Sequence, residues 1–168
     1  MAENDFSHSK KLSKTDEECT LLTMEVMGDE PIGGINIDTV FSLRDSGKWL
    51  VVEYLKCDTV RPFQSHPNRY WHLNKRKFIT LWNLTQKLEG NLLLINYEKS
   101  RKQFLLIKVL ELSEEKGIIK DEQIPMNMKQ FREFLIKINR RARGVVVNEN
   151  AQNKTQMDDE GTGQLAQV

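Results

Sequence analysis

Two acidic residues, Asp38 and Glu53, lie in two apolar segments that a short polar turn separates. The turn is Arg44 to Gly47, and the flanking segments are rich in Val, Ile, Phe and Trp, a composition that predicts an antiparallel hairpin. If the turn is centred between its two middle residues, Val40 faces Val51 and Asp38 faces Glu53 on the neighbouring strand. Both carboxylates are then expected on the same face of the sheet.

A pair of opposed carboxylates needs a compensating cation. Directly opposed like charges disfavour folding, and partial burial makes an unpaired carboxylate more costly still. Divalent ions such as Mg²⁺ prefer the oxygens of carboxylates and water as ligands. The hairpin therefore predicts a metal site, and the alternative is a pair of acids that simply face the solvent.

The residues around the hairpin predict the other elements of an α/β domain. Helices are expected where apolar residues recur at helical spacing, and strands where short apolar runs are nearly continuous. The helices are predicted near 16–27, 75–89 and 128–143, and the strands near 35–43, 48–57, 92–97 and 104–112. The connection 58–74 contains Pro62 and Pro67 and is expected to be an irregular loop. Residues 113–124 are also expected to be loop, with Gly117 to Ile119 as an alternative short edge strand.

The chain of 168 residues has the composition of one globular domain. Apolar residues make up 39% of it and charged residues 29%. No apolar run approaches the roughly 20 residues that a membrane span requires, so we expect no membrane partner. The polar N-terminus has no apolar signal core, which predicts a cytoplasmic protein, or a nuclear one in a eukaryote. We assign 1–14 to a flexible arm, 15–147 to the domain and 148–168 to a disordered acidic tail.

The most concentrated basic segment of the chain runs from Arg61 to Lys77 and contains no acid. Its candidate nucleic-acid-binding residues are Arg61, Arg69, Tyr70, Trp71, Lys75 and Arg76. In one interpretation the basic residues contact DNA phosphates, while an aromatic ring stacks on a base or wedges between bases. In the other, the segment is a packed loop whose aromatic residues complete the core.

The order of the predicted elements is helix, strand with Asp, strand with Glu, loop, helix, strand, strand. Together with Gly34 to Asp38 and Trp49 to Lys56, this order resembles the αβββαβ core of the PD-(D/E)XK nuclease superfamily. The resemblance implies a restriction-endonuclease-like fold. Its mixed four-stranded sheet would be flanked by the helices near 16–27 and 75–89, with an extra helix at the C-terminus.

The same resemblance implies which residues carry the chemistry. Asp38 and Glu53 would hold one or two Mg²⁺ (or Mn²⁺) ions, and Glu18 or its neighbour Glu17 on the first helix would be a further acid. A lysine would orient or activate the attacking water and offset the phosphate charge.

The expected lysine is displaced in this sequence. The family places it two residues after the acid, where this chain has Leu55, and Lys56 comes one residue later. On a regular strand Lys56 points to the opposite face from Glu53. Either a bulge turns it back, or Lys75 or Lys77 on the following helix replaces it, or the site is inactive. No glycine marks a bulge, so we expect a regular strand and a lysine from the helix.

These residues lead to two hypotheses for the function. The first is a Mg²⁺-dependent DNA endonuclease of restriction, repair, phage or mobile-element type. A chain of this size is then expected to act as a homodimer or as a subunit of a larger nucleic-acid-processing complex. The alternative is a catalytically inactive module with a nuclease fold that binds nucleic acid or another protein.

Overall fold

A mixed five-stranded sheet with helices on both faces forms the body of the protein, and the computed structural model describes residues 15–29 and 33–145. The helices are α1 (Thr15–Met27), α2 (Trp71–Lys87) and α3 (Met128–Ala142). The strands are β1 (Thr39–Leu43), β2 (Lys48–Cys57), β3 (Asn91–Glu98), β4 (Gln103–Ser113) and β5 (Gly117–Asn127). The arm predicted at 1–14 and the tail predicted at 148–168 lie outside the described residues.

The strands follow one another in sheet order from β1 to β5. β2 and β3 are parallel, and each of the other neighbouring pairs is antiparallel. Parallel neighbours cannot be joined by a hairpin, so the chain crosses over between them through α2. The α/β class and the mixed sheet are confirmed, whereas the prediction of four strands is wrong.

The fifth strand, β5, pairs with β4 along its whole length, from Gly117 opposite Ser113 to Asn127 opposite Gln103. The expectation of loop over 113–124 is wrong, and the alternative edge strand at Gly117 to Ile119 is the start of a longer strand. β5 is an edge strand, and charged side chains on an edge strand protect its unpaired backbone from other chains. Its pairing to β4 comes from the backbone, which a hydrophobic pattern does not report.

The predicted register of the first hairpin is confirmed over β1, whereas Asp38 lies before the strand and is not paired with Glu53. Val40 pairs with Val51, and β2 then runs beside β3 to Cys57 without a register shift. The strand is regular at Tyr54 and Leu55, as expected, so it contains no bulge that would turn Lys56 back. β1 begins later than predicted, at Thr39 instead of Ile35.

The two faces of the sheet take their names from the helix that covers each of them. The α2 face includes Val51, Leu92, Leu94, Leu105 and Ile107, packed against Phe78 and Leu81 of α2. The α3 face includes Leu50, Val52, Leu93, Ile95 and Leu106, packed against Phe131 and Ile138 of α3. Since side chains alternate along a strand, Glu53 belongs to the α2 face, and Tyr54 and Lys56 belong to the α3 face.

The first helix does not flank the sheet as predicted. Its side chains from residue 21 to residue 27 are all exposed, Val26 by 76% and Leu22 by 59%. At 100° per residue these apolar residues spread around the helix and form no single stripe that could pack on a sheet. The helix that covers the second face is α3, which begins with a capping box formed by Asn127 and Gln130.

Candidate functional site

Glu53 is a carboxylate buried within the α2 face. The residue is 3% exposed and lies on β2 between apolar neighbours, where an ionised group loses most of its hydration. The Nζ atom of Lys77, on α2, forms an ion pair with its Oε1 atom. The Oε2 atom has no hydrogen-bond partner among the described residues. One oxygen of this buried acid is therefore left without a hydrogen-bond partner in the described part of the chain.

Asp38 lies one residue before β1, at the edge of the sheet. Its Oδ2 atom accepts a hydrogen bond of 2.7 Å from the backbone amide of Tyr54. At this point β1 has stopped pairing with β2, and the side chain supplies the acceptor that a strand backbone would otherwise provide. The hydrogen bond holds the Asp38 carboxylate at the edge of β2, against Tyr54, the residue that follows Glu53.

The electrostatics of Glu53 reflect its burial and these two neighbours. Burial has the largest effect and raises the pKa of the Glu53 carboxyl, the hydrogen bond from Lys77 lowers it, and the negative charge of Asp38 raises it. The pKa ends above its ordinary value, so one ammonium group does not fully offset the loss of solvent. A second cation beside Glu53 would stabilise the ionised carboxylate.

The structure separates the three candidate lysines. Lys77 contacts Glu53, and its side chain is 30% exposed. Lys75, on the same helix, is exposed to solvent. Lys56 lies on the α3 face and forms an ion pair of 2.7 Å with Asp58. The expectation that a helix lysine takes the place beside the acid is therefore met by Lys77.

Asp38 and Glu53 are the two oxygen donors that the sequence predicts for a divalent ion. Within 15–29 and 33–145, no group of three or more His, Cys, Asp or Glu side chains could hold a metal. The side chain of Glu18, the further acid expected on the first helix, lies outside the described part of the chain. Mg²⁺ is commonly bound through one or two carboxylates, with waters and substrate phosphates as its other ligands. The unpartnered Oε2 atom of Glu53 fits that chemistry.

The basic segment begins as a loop that is fixed to the sheet by polar contacts. His66 accepts a hydrogen bond at Nδ1 from the backbone amide of Asn68, 3.2 Å away. Its Nε2 atom therefore carries the proton of the neutral ring and donates it to Asp121 on β5, at 3.0 Å. The imidazole has both ring nitrogens in use and holds the loop against the edge strand.

Two asparagines that the sequence analysis did not single out fix the same loop. Asn68 exchanges two hydrogen bonds of 2.9 Å with the backbone of Ile118, as a neighbouring strand would. Asn96 is 1% exposed on β3 and donates to the backbone oxygens of Pro62 and Ser65. A signal for Asn96 was present in the sequence, since it interrupts an otherwise apolar run and a buried amide needs partners.

The candidate residues for nucleic-acid binding divide between the surface and the core. Arg61 and Lys75 are exposed, and Tyr70 is 37% exposed. The guanidinium of Arg69 donates to the Gln64 carbonyl at 3.0 Å and lies 6.0 Å from the centre of the Tyr70 ring. Positive charges and one aromatic ring therefore lie at the protein surface.

The remaining two candidates contact other parts of the protein, Trp71 in the core and Arg76 at the surface. Trp71 stacks on Phe78 with 6.0 Å between ring centres. This contact agrees with the alternative in which the aromatic residues of the segment complete the core. Its buried Nε1 atom has no partner among the described residues. Arg76 donates through Nη2 to the backbone oxygen of Gly33 and so ties α2 to the segment that leads into Asp38.

Comparisons of the chain with protein-family models, with curated proteins and with solved structures give no match. Within residues 15–29 and 33–145, no helix is both long and apolar enough to cross a membrane.

Proposed function

We propose that the protein is a Mg²⁺-dependent endonuclease that hydrolyses DNA phosphodiester bonds. The observation that carries the proposal is the buried Glu53, with one oxygen paired to Lys77 and the other unpartnered beside Asp38. Carboxyl groups whose pKa is shifted by burial and by a neighbouring charge are typical of functional sites. The resemblance to the PD-(D/E)XK pattern at the same two acids supports the same assignment.

Each residue of the site has a defined role in this proposal. Asp38 and Glu53 hold the ion, and the hydrogen bond from the Tyr54 amide fixes the orientation of the Asp38 carboxylate. Bound Mg²⁺ would supply a Lewis acid for the phosphate and lower the pKa of the attacking water. Lys77 contributes a positive charge that offsets the charge developing on the phosphate.

A cleavage assay tests the proposal directly. Purified protein is incubated with plasmid, single-stranded and branched DNA, with Mg²⁺, Mn²⁺ or a chelator. We expect cleavage that needs the divalent ion and that falls by at least about 100-fold in Asp38→Asn and in Glu53→Gln, since loss of a metal ligand costs more than the 10–100-fold of a supporting residue. Asp45→Asn is the matched control, because Asp45 lies in the same hairpin and pairs with Arg141 instead.

Two results would contradict the proposal. One is the absence of cleavage on every substrate, and the other is cleavage that survives Asp38→Asn. The lysine assignment is tested in the same assay, where Lys77→Ala is expected to lose activity while Lys56→Ala and Lys75→Ala retain it. If Lys56→Ala alone is inactive, the role assigned to Lys77 is wrong.

The second candidate function is a nuclease-like module that binds DNA without cutting it. It is favoured by the ion pair with Lys77, which already provides Glu53 with one cation. This candidate predicts DNA binding that needs no metal, decreases steeply with salt, and weakens when Arg69, Lys75 or Arg76 is replaced by Ala. Calorimetry with Mn²⁺ discriminates the two: heat of binding that disappears in Glu53→Gln favours the enzyme, and no binding favours the module.

The proposed assembly is a homodimer or a subunit of a larger complex that acts on DNA. A homodimer would cut one strand of a duplex with each subunit. Sedimentation of the protein with and without DNA measures the oligomeric state.

A further inference from the structure

A groove runs along the α3 face, between α3 and the ends of β2 and β3. Its volume is about 950 Å³, within the range of small-molecule sites. Aromatic residues form much of its lining: Tyr54, Tyr97, Phe104 and Phe131. The two tyrosine rings meet edge to face with 6.4 Å between their centres, and the two phenylalanine rings are stacked at 4.1 Å. The two phenylalanines are buried beneath the groove, and the two half-buried tyrosines leave ring surface for a flat ligand.

Two cations lie in the lining of the same groove. Arg101 and Arg132 are both exposed, and neither guanidinium forms an ion pair or a hydrogen bond with another side chain or backbone group in the described part of the chain. Asp38 is the one acid in the lining. The groove thus combines an aromatic interior with positive charge, which is complementary to a flat group that carries a phosphate.

Asp38 connects this groove to the candidate metal site. Its carboxylate is held by the Tyr54 amide at the edge of β2, next to Glu53 on the α2 face, and it also lines the groove on the α3 face. A DNA strand with a phosphate at Asp38 would place its next nucleotide toward the groove, because Asp38 belongs to both. The two sites can therefore be filled by neighbouring parts of one strand.

We propose that the groove binds an unpaired nucleotide of DNA, with its base against Tyr97 and its phosphate at Arg132. This inference rests on the proposed function and names its substrate class. A base inside a duplex is stacked and paired, and it can enter such a groove only after it leaves the helix or when it has no partner. The preferred substrate is then DNA with an unpaired nucleotide next to the cleaved bond, as in a single strand, a flap or a bulge.

Binding in the presence of a chelator tests the groove separately from cleavage. A labelled oligothymidine is compared with an abasic oligomer of equal length and charge, by fluorescence anisotropy. We expect wild-type protein to bind the oligothymidine roughly tenfold more tightly, because stacking on aromatic side chains is the main contribution of the bases. Tyr97→Leu, which keeps apolar bulk but removes the ring, is expected to abolish this preference, and Tyr97→Phe is expected to retain it.

Separate variants test the proposed phosphate contact at Arg132. Arg132→Ala is expected to weaken binding of both oligomers by a similar factor and to reduce the salt dependence of binding. Lys129→Ala is the matched control, since Lys129 is an exposed cation on the same helix but lies outside the groove. It is expected to leave the affinities close to those of the wild type.

Several outcomes would overturn the proposal. These are equal affinity of the wild type for the two oligomers, an equal effect of Arg132→Ala and Lys129→Ala, and tighter binding of a duplex than of a single strand. Displacement of the oligothymidine by a polyglutamate peptide as effectively as by unlabelled oligothymidine would assign the groove to an acidic polypeptide.

Different results would contradict the groove proposal and the nuclease proposal. Groove-dependent binding without cleavage of any substrate retains the groove and removes the nuclease. Cleavage that needs Asp38, with wild-type rates on single strands and flaps in Tyr97→Leu and Arg132→Ala, retains the nuclease and removes the groove.

Discussion

The two faces of the sheet are built on different principles. On the α2 face, buried polar groups have specific partners: Glu53 with Lys77, and Asn96 with two loop carbonyls, while the half-buried Asn68 of the loop pairs with Ile118. On the α3 face, the contacts are mainly between apolar and aromatic side chains, and a groove remains open. Both faces bury apolar side chains, and the α2 face adds directional polar contacts to that burial.

This difference determines how each face responds to substitution. A buried polar contact that loses one partner leaves the other partner desolvated and unsatisfied, which costs more than the contact itself contributed. A side chain that lines an open groove leaves less of a void, since water already reaches its surface. We therefore expect substitutions on the α2 face to lower the stability of the protein, and substitutions on the α3 face to weaken ligand binding.

The largest effect on stability is expected from Lys77→Met. The substitution keeps the apolar stem but leaves the Glu53 carboxylate buried without its cation, and we expect a loss of about 4 kcal/mol in the free energy of unfolding at pH 8. The loss should be smaller at pH 5. The pKa of Glu53 is already raised and rises further without Lys77, so the folded protein holds that proton more tightly than the unfolded chain. Stability contributed in this way is present below the ordinary carboxyl pKa and is lost as the pH rises through the raised one.

A double substitution completes the test of the ion pair. Chemical denaturation at both pH values is compared for Lys77→Met, Glu53→Gln and the two together. We expect Glu53→Gln to restore most of the stability lost in Lys77→Met at pH 8, because a neutral amide replaces the stranded charge. Equal losses at pH 5 and pH 8 in Lys77→Met would show that packing of the lysine stem is what matters.

A smaller effect is expected from a matched pair of leucines. Leu81 on α2 is fully buried against the α2 face, while Leu135 on α3 is partly buried and lines the groove. We expect Leu81→Ala to cost about 3 kcal/mol and Leu135→Ala about 1 kcal/mol, because the cavity term adds to the first and hardly to the second. Thermal or denaturant unfolding measures both. Equal costs would contradict the distinction drawn between the two faces.

A third comparison concerns the contact between the loop and β5. Gly117 has a φ of +81°, and a Cβ atom there would lie 2.6 Å from the Oδ1 atom of Asn68. Gly47 has a similar φ of +67° but no atom within 4 Å of such a Cβ. We expect Gly117→Ala to cost about 2 kcal/mol and Gly47→Ala about 1 kcal/mol, since both strain the backbone but only the first also disturbs a contact. If denaturation gives the same loss for both, the Asn68 contact adds nothing.

Much of the first hairpin was predictable from the sequence. The turn, the register of Val40 with Val51 and the bounds of β2 all follow from local composition, because a short turn fixes the pairing of the strands beside it. The position of Lys77 was expected as one of two alternatives. Because β2 is regular, Lys56 points away from Glu53. The geometry of α2 then decides between Lys75 and Lys77.

Other features could not be read from local pattern. β5 is polar and gains its pairing from β4, and the loop depends on side-chain contacts between residues 50 positions apart. The first helix has apolar residues, yet its exposed side chains do not cover the sheet. The burial of Glu53 and the unpartnered Oε2 atom depend on how α2 packs, which no single segment encodes.

The pairing of Asn68 with Ile118 has a consequence for the order in which the protein opens. Closing a connection of this length costs chain entropy that only the completed β4–β5 hairpin repays, so the contact forms late in folding and is released early in unfolding. Fraying of β5 at Gly117 would free the loop and, with it, the start of α2. We expect the Ile118 amide to exchange its hydrogen at the same rate as the amides of Asn68 and Arg69, which makes the edge strand and the basic loop one cooperative unit.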